Sequence, residues 1–329
     1  MAHTVSTSST RNHDANRGRR ADAPHQIPVR GWLDVAKRVK DEAKDDDLSL
    51  LAGGVAFFGL LALAPALAAV VSIYGLVSTP EDVARQLNDL GGSLPDSARQ
   101  VLADQLQQVV TSSRSGLGIT VVLGIVLAVW SASSAVKHLV TALTLINDEH
   151  ESRGFVKLRG TAIVLTVGAV VFAGLSIILI AVAPQWAEGS GNSALSWAVS
   201  VARWPVLAVL MLVGLSVLYR YGPDRDEPRW QWVSWGAAVA TALWLVASAL
   251  FSLYANHFGS YNKTYGSLAA VVVMMLWLYL TAACVLVGAE LNAELEHQTE
   301  KDSTTGPPRP LGARDAEMAD SVGAARSGS

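Results

Sequence analysis

The feature that most constrains this chain is an apolar run from Leu268 to Gly288 that contains no charged residue. A helix needs about 20 such residues to cross the hydrocarbon core of a bilayer. Five further apolar runs precede it, and only 16% of the 329 residues are charged, against about 25% in a typical soluble domain. The sequence therefore predicts an all-α, polytopic membrane protein with six transmembrane helices.

The polar segments between these runs set the expected boundaries. Residues 1–30 and 297–329 are rich in small and polar residues, which predicts a disordered leader and a disordered tail. Residues 78–116 carry two amphipathic helical patterns, which predicts an outer helical cap. Apolar residues continue at helical spacing after the second crossing, so that helix is expected to run on to Asp148. Within a transmembrane domain of residues 48–296, the six crossings are expected at about 48–77, 117–136, 160–184, 197–219, 233–254 and 268–288.

Residues 31–47 form an amphipathic pattern that predicts a surface helix. Apolar residues such as Trp32, Leu33 and Val39 recur at helical spacing, and lysines occupy the other side. One interpretation places this helix on an anionic membrane surface. The other is an ordinary solvated leader helix, and the sequence leaves both open.

Lysine and arginine are concentrated in the leader, the second-to-third loop, the fourth-to-fifth loop and the tail. Because basic residues flank crossings on the cytoplasmic side, both termini are expected in the cytoplasm, with the cap and the segment before the last crossing outside. The net charge of −3 gives no support for a nucleic-acid partner. The expected partner is the lipid bilayer, and the sequence does not reveal an oligomeric state.

The segment before the last crossing is the densest polar cluster beside an apolar run, and we call it the elbow (residues 259–266). Irregular backbone at membrane depth must be buried in protein or wetted, so the elbow is a candidate substrate path, in which Lys263 meets an anionic headgroup. The alternative is a tight outer loop with its lysine in water. The path candidates are Tyr261, Asn262, Lys263 and Tyr265, with Gly259 and Gly266 as hinges.

The first crossing is interrupted by Pro65 and by the pair Gly53 and Gly54. Proline lacks an N–H group and crowds the preceding turn, so Pro65 is the expected kink. Small residues can form a smooth face for close helix packing. They are also typical of the broken helices of transporters, and both interpretations remain open.

Two polar groups lie at the predicted inner ends of crossings. Glu290 and Glu294 are four residues apart and share one helix face, with Asn292 beside them, and Arg220 ends the fourth crossing. One interpretation is a solvated helix end. The other pairs Glu290 with a base such as Arg220, an ionisable pair that gates or couples transport.

Enzyme signatures are absent from the sequence. It contains no nucleophile elbow, no phosphate-binding glycine loop and no HExxH motif. The charged group from Asp148 to Glu151 has no further ligand at useful spacing, and Cys284 is the single cysteine. We therefore expect no catalytic residue, no metal and no cofactor.

Five stretches are informative in combination: Asp45–Leu67, Trp130–Phe155, Val217–Arg225, Phe258–Leu280 and Gly288–Glu296. Together they resemble the YihY family of bacterial inner-membrane proteins, also called the BrkB family. The resemblance implies six crossings and a location in the bacterial cytoplasmic (inner) membrane. Some members carry a virulence-factor or serum-resistance label, and many carry a ribonuclease BN label. That label looks mistaken, because tRNA-maturing enzymes of that name resemble soluble metallo-β-lactamase-type hydrolases with a dense His/Asp motif that this sequence lacks.

Three functional hypotheses follow. The first is a transporter or exporter of a lipid-like or amphipathic envelope substrate, such as an envelope precursor. The second is a non-transporting envelope-integrity or virulence-associated scaffold that binds partners through its cap. A membrane-tethered nuclease is the third and least favoured. A continuous polar cavity between the crossings favours the first, and a dry, fully packed bundle favours the second.

Overall fold

The structure is a computed structural model that describes residues 17–77, 117–258 and 267–324. Within these ranges the chain forms helices and no strand. A 3₁₀ turn (Pro24–Gln26) precedes the first α-helix, and a π-helical turn (Ile178–Val182) follows the fourth. The α-helices are α1 (Val29–Asp45), α2 (Leu48–Val77), α3 (Leu117–Ile146), α4 (Phe155–Ile177), α5 (Ala183–Gly189), α6 (Ser193–Tyr221), α7 (Trp230–Phe258), α8 (Ser267–Glu296) and α9 (Glu317–Asp320).

The predicted fold class is confirmed. Five helical spans in the described residues are long and apolar enough to cross a membrane, or up to six if α1 and the start of α2 count as one broken span. These two helices meet at an angle of 63°, where Asp47 adopts a left-handed φ of 51°. Because α1 is rich in charged residues, we place the start of the first crossing at Leu48. Large apolar side chains such as Val164, Val209 and Leu250 are exposed along these helices, as expected of lipid-facing surfaces.

The chain divides into two compact units, residues 1–57 with 137–329, and residues 58–136. The described part of the second unit consists of the adjoining portions of α2 and α3. The predicted outer cap, residues 78–116, lies outside the described residues. Helix α2 runs through Pro65 as one helix. The features below belong to the first unit.

Helix boundaries differ from the predicted crossings where apolar patterns continue past them. Helix α3 continues beyond residue 136, as its pattern predicted, and ends at Ile146. Helix α4 starts at Phe155 and gives way at Ile178 to the π-helical turn, so the predicted crossing 160–184 is not one α-helix. Helix α8 continues eight residues past Gly288, which places Glu290, Asn292 and Glu294 within the helix.

The core of the first unit lies where α7 and α8 pack together. Gly236 of α7 and Gly288 of α8 face each other so closely that neither has room for a side chain. Small residues allow this approach of two backbones. At Gly53 and Gly54, the predicted packing positions, an added Cβ would meet no described atom within 4 Å. Their role as hinges stays a prediction. Buried apolar residues around the contact are Leu143, Ile146, Leu215, Tyr219, Ala237, Ala240, Leu286 and Ala289.

The predictions of a disordered leader (1–30) and tail (297–329) are wrong over residues 17–30 and 297–324, which we call the terminal segments. They bind each other: the Gln298 side chain donates to the carbonyl of Arg17 at 2.7 Å, and the Thr299 hydroxyl donates to that of Ala21 at 2.8 Å. Ile27 and Met318 are buried. Composition misled because these segments are held largely by hydrogen bonds to backbone rather than by a large apolar core. Residues 1–16 and 325–329 lie outside the described residues.

Helix α1 is amphipathic, as predicted, with one face against α8 and the other exposed. Asp34 and Val35 are buried, whereas Leu33, Lys37 and Lys40 are exposed. The position of α1 on a membrane surface or in water stays a prediction.

Candidate functional site at the C-terminal end of helix α8

The predicted site residues divide into two groups. Tyr261, Asn262, Lys263, Tyr265, Gly259 and Gly266 lie outside the described residues, so the elbow stays a prediction. Glu290 and Asn292 on α8 and Arg220 on α6 are described and buried. The candidate site is built from this second group.

Asn292 links α8 to α7 at the glycine contact. Its Oδ1 accepts the backbone N–H of Gly236 at 2.7 Å, and its Nδ2 donates to the carbonyl of Val233 at 3.1 Å. Both ends of the side-chain amide are therefore bound to the backbone of α7. The structure gives Asn292 a clear role in holding the two helices together, and its place on a substrate path stays a prediction.

Arg220 does not pair with Glu290, so that part of the prediction is wrong. Its guanidinium donates to Glu227 at 2.9 Å and to the carbonyl of Pro228. It also lies over the ring of Trp230, 4.8 Å from the centroid, a cation–π arrangement. The turn after α6 folds back on the helix end and supplies these nearer partners.

Glu290 has an environment that neither interpretation of the sequence anticipated. Its side chain is 0% exposed, and neither carboxyl oxygen has a hydrogen-bond partner in the described part of the chain. The charged groups that act on it most strongly are all acidic: Asp46, Glu294, Glu42 and Asp148. We call these four and Glu290 the acidic cluster. The helix end is therefore neither solvated nor neutralised at Glu290.

Glu294, one turn further along α8, has the partners that Glu290 lacks. One of its carboxyl oxygens accepts a hydrogen bond from Arg38 of α1, whose guanidinium also donates to the Glu294 carbonyl at 3.0 Å. The other oxygen lies 3.5 Å from Nδ1 of His297. Arg38 is therefore bound to Glu294, and its guanidinium does not pair with Glu290.

Glu296 is buried in a complete ion-pair network that the sequence analysis missed. Its carboxylate accepts from Arg225 at 2.7 Å and from the Ser303 hydroxyl at 2.6 Å. Arg225 also donates to Oδ1 of Asn147 at 2.7 Å. A small cleft lined by Asn147, Tyr219, Arg225, Asn292 and Glu296 is present here. The only sequence signal was the arginine-rich turn after α6, which does not reveal a partner 71 residues away.

Asp46 lies at the bend between α1 and α2. It is half-buried. Burial, aided by the negative charges of Asp148 and Glu42, raises the pKa of Asp46 to about 6. A carboxyl group with that pKa exchanges its proton near neutral pH.

The acidic cluster does not have the arrangement of a metal site. Among the residues that the structure describes, no group of three or more His, Cys, Asp or Glu side chains could hold a metal ion. The carboxyl groups of this cluster can bind and release protons.

Comparison with known proteins gives a consistent family. Residues 39–311 match the family model described as Virulence factor BrkB. The chain is 32% identical over 256 residues to the "Putative ribonuclease-like protein YfkH" of Bacillus subtilis, which covers 75% of this chain and 89% of that protein. A UPF0761 membrane protein of Pseudoalteromonas atlantica is 25% identical over 291 residues, covering 84% of this chain and 93% of its own length.

A third relative, the UPF0761 membrane protein IL2447 of Idiomarina loihiensis, is 26% identical over 267 residues and covers 76% of this chain and 87% of its own length. No solved structure matches the chain significantly. The matched region includes the C-terminal part of α1 (residues 39–45) and every helix from α2 to α8, together with the acidic cluster and the Glu296 network. The chain therefore belongs to the BrkB family of membrane proteins.

Proposed function

We propose that this protein transports a lipid-like or amphipathic envelope substrate across the bacterial cytoplasmic membrane. The observation that carries the proposal is the isolated carboxyl group of Glu290, buried in a bundle of membrane-type helices. Ionisable residues inside such bundles are costly, and they commonly mark substrate or ion pathways. A carboxylate buried without a partner costs several kcal/mol, so a purely structural position favours an apolar residue.

The proposal places both termini in the cytoplasm. The described parts of the leader and the tail bind each other, which supports a location on the same side of the membrane. The bias of lysine and arginine supports the cytoplasmic side. The elbow, with Lys263, then forms the outer part of the path, and Glu290 lies near its inner end.

The second candidate is a non-transporting scaffold. The tight contact of Gly236 with Gly288 and the hydrogen bonds of Asn292 favour it, because they close the space between α7 and α8 at this end. The transport proposal requires a route elsewhere in the bundle or an opening of this contact.

The two candidates are separated by a flux measurement in reconstituted vesicles. A phospholipid with a fluorescent headgroup serves as the probe, and chemical quenching from outside reports its movement between leaflets. Transport predicts faster movement with the wild-type protein than in protein-free vesicles, and loss of that increase in Glu290→Gln and Lys263→Gln. Lys301→Gln is the matched control, because Lys301 is exposed in a terminal segment.

One result would decide against transport, and another against the roles of Glu290 and Lys263 in it. No increase with the wild-type protein, for this probe and for labelled envelope precursors, favours the scaffold. An increase that both variants retain would show transport by a route that uses neither residue.

A further inference from the structure

We propose that Glu290 is a proton-binding site, occupied in the structure's conformation, which exchanges its proton with the aqueous phase through Asp46. The binding of the proton follows from the geometry alone. Its use to drive movement of a substrate rests on the proposed function.

The first step of the argument is that the Glu290 carboxyl group has nothing to stabilise a negative charge. It is fully buried, and neither oxygen receives a hydrogen bond from the described residues. A buried acid in this situation takes up a proton and becomes neutral rather than staying ionised.

The second step is that the bases near Glu290 in the described part of the chain already have partners. Arg38 of α1 is engaged by Glu294, and Arg220 of α6 is engaged by Glu227. Tyr219 donates its hydroxyl to the carbonyl of Val285. Neither α2 nor α7 contains a Lys, Arg, Asp or Glu residue. The remaining groups that face this region are Glu42, Asp45 and Asp46 at the end of α1, Asp148 after α3, and Glu294 and His297 at the end of α8.

The third step is the direction in which Glu290 faces. Glu294 contacts Arg38 of α1, and residues four apart share one helix face. Glu290 therefore lies on the face of α8 that is turned towards α1. Ala43 and Leu48, on either side of Asp46, pack in the same core as Ala289, the neighbour of Glu290. Asp46 is half-buried, so it stands between the buried acid and water.

The exchange step is a proton transfer between two carboxyl groups. The O–H bond at Glu290 breaks, an O–H bond forms at the Asp46 carboxylate, and Asp46 then gives its proton to water. The transfer leaves a buried negative charge on Glu290. That charge is unfavourable in the present packing, so release requires water or a cationic group to reach Glu290. Proton release is thereby linked to a change in packing of α1 and α2 against α8.

The test is infrared difference spectroscopy of the full-length protein in lipid vesicles at pH 7. A neutral carboxyl group has a C=O band that is separate from the carboxylate bands and shifts in D₂O. Glu290→Gln should remove one such band. Glu296→Gln is the matched control on the same helix and should remove none, because the Glu296 carboxylate forms an ion pair with Arg225 and accepts a hydrogen bond from Ser303.

Loss of folding in Glu290→Gln does not block the test, because Glu290→Asp keeps a carboxyl group and should shift the band instead of removing it. A spectrum that is unchanged by either folded variant would overturn the proposal. Asp46→Asn should keep the band and slow its exchange in D₂O several-fold. Unchanged exchange would overturn the route through Asp46.

These readouts do not depend on transport. A Glu290 band without any lipid movement in the vesicle assay would leave the proton site standing and reject the proposed function. Lipid movement without a Glu290 band would support the proposed function and reject the proton site.

Discussion

Two neighbouring regions of α8 bury a carboxyl group in opposite ways. Around Glu296 the charge is matched: Arg225 and Ser303 both donate to it, and the paired side chains of Arg225 and Glu296 are 2% and 1% exposed. Around Glu290, six residues earlier, the side chain is equally buried and no described residue donates to it. Burial alone therefore does not show what an acidic residue is for. The number of donors separates an ion pair that holds the fold together from an acid that can change its charge.

The largest effect is expected from removing the partner of the matched charge. Arg225→Ala leaves Glu296 buried without its cation, and it should destabilise the protein by about 3–5 kcal/mol. Glu290→Gln replaces a neutral acid by a neutral amide of the same shape, and it should cost much less. Denaturant unfolding in mild detergent measures both changes. A larger loss for Glu290→Gln than for Arg225→Ala would remove the distinction between the two regions.

The next effect concerns the close contact of Gly236 with Gly288, which fixes α8 against α7. Gly288→Ala adds a Cβ where Tyr219 and Gly236 leave no room, and overpacking of this kind costs about 1–3 kcal/mol. Gly53→Ala is the matched control, since its Cβ would meet no described atom within 4 Å. It should be neutral or stabilise α2 by up to about 1 kcal/mol. If both substitutions changed the melting temperature equally, the close contact of Gly288 with Gly236 would not be what makes Gly288→Ala destabilising.

A smaller effect is expected in the pH dependence of stability. The pKa of Asp46 is raised from 3.8 to about 6 in the folded protein, so the folded state binds more protons than the unfolded state between these values. The stabilisation is fully present below pH 3.8, is lost as the pH rises from there to about 6, and changes no further at higher pH. Asp46→Asn should flatten this part of a plot of melting temperature against pH. A slope that persists unchanged in the variant would show that other groups produce it.

The smallest effect concerns the exposed face of α1, opposite the face that carries Arg38. No ion pair of Lys37 or Lys40 is seen within the described residues. If anionic headgroups cover this face, each lysine contributes about 1 kcal/mol to the interaction. Lys37→Gln with Lys40→Gln should then reduce the stabilisation that vesicles rich in phosphatidylglycerol give over neutral ones. No difference between the two vesicle types would favour the solvated interpretation.

Sequence reasoning was strongest where a single local pattern determines the structure. The long apolar runs predicted the membrane-type helices, because length and the absence of charge suffice to identify them. The apolar stripe that follows the second crossing likewise predicted the continuation of α3. Glu290 and Asn292 were picked out because they lie at the predicted inner end of the last crossing, where Glu290 shares a helix face with Glu294.

The partners of these residues could not be read from the sequence. Arg225 with Glu296 and Gln298 with Arg17 are separated by 71 and 281 residues, and no local spacing connects them. The predicted pairing of Arg220 with Glu290 failed because a closer acid, Glu227, was only seven residues away. The contact of Gly236 with Gly288 was missed because one isolated glycine in an apolar run does not reveal what faces it.

The mutual binding of the terminal segments has a practical consequence for engineering the protein. Shortening the chain near residue 300, a natural choice for a tail that reads as loose, would remove the carbonyl of Gly323, to which Arg19 donates. It would also remove Ser303 from the carboxylate of Glu296. Deletions and affinity tags at either end of the gene should therefore be judged by their effect on the opposite end.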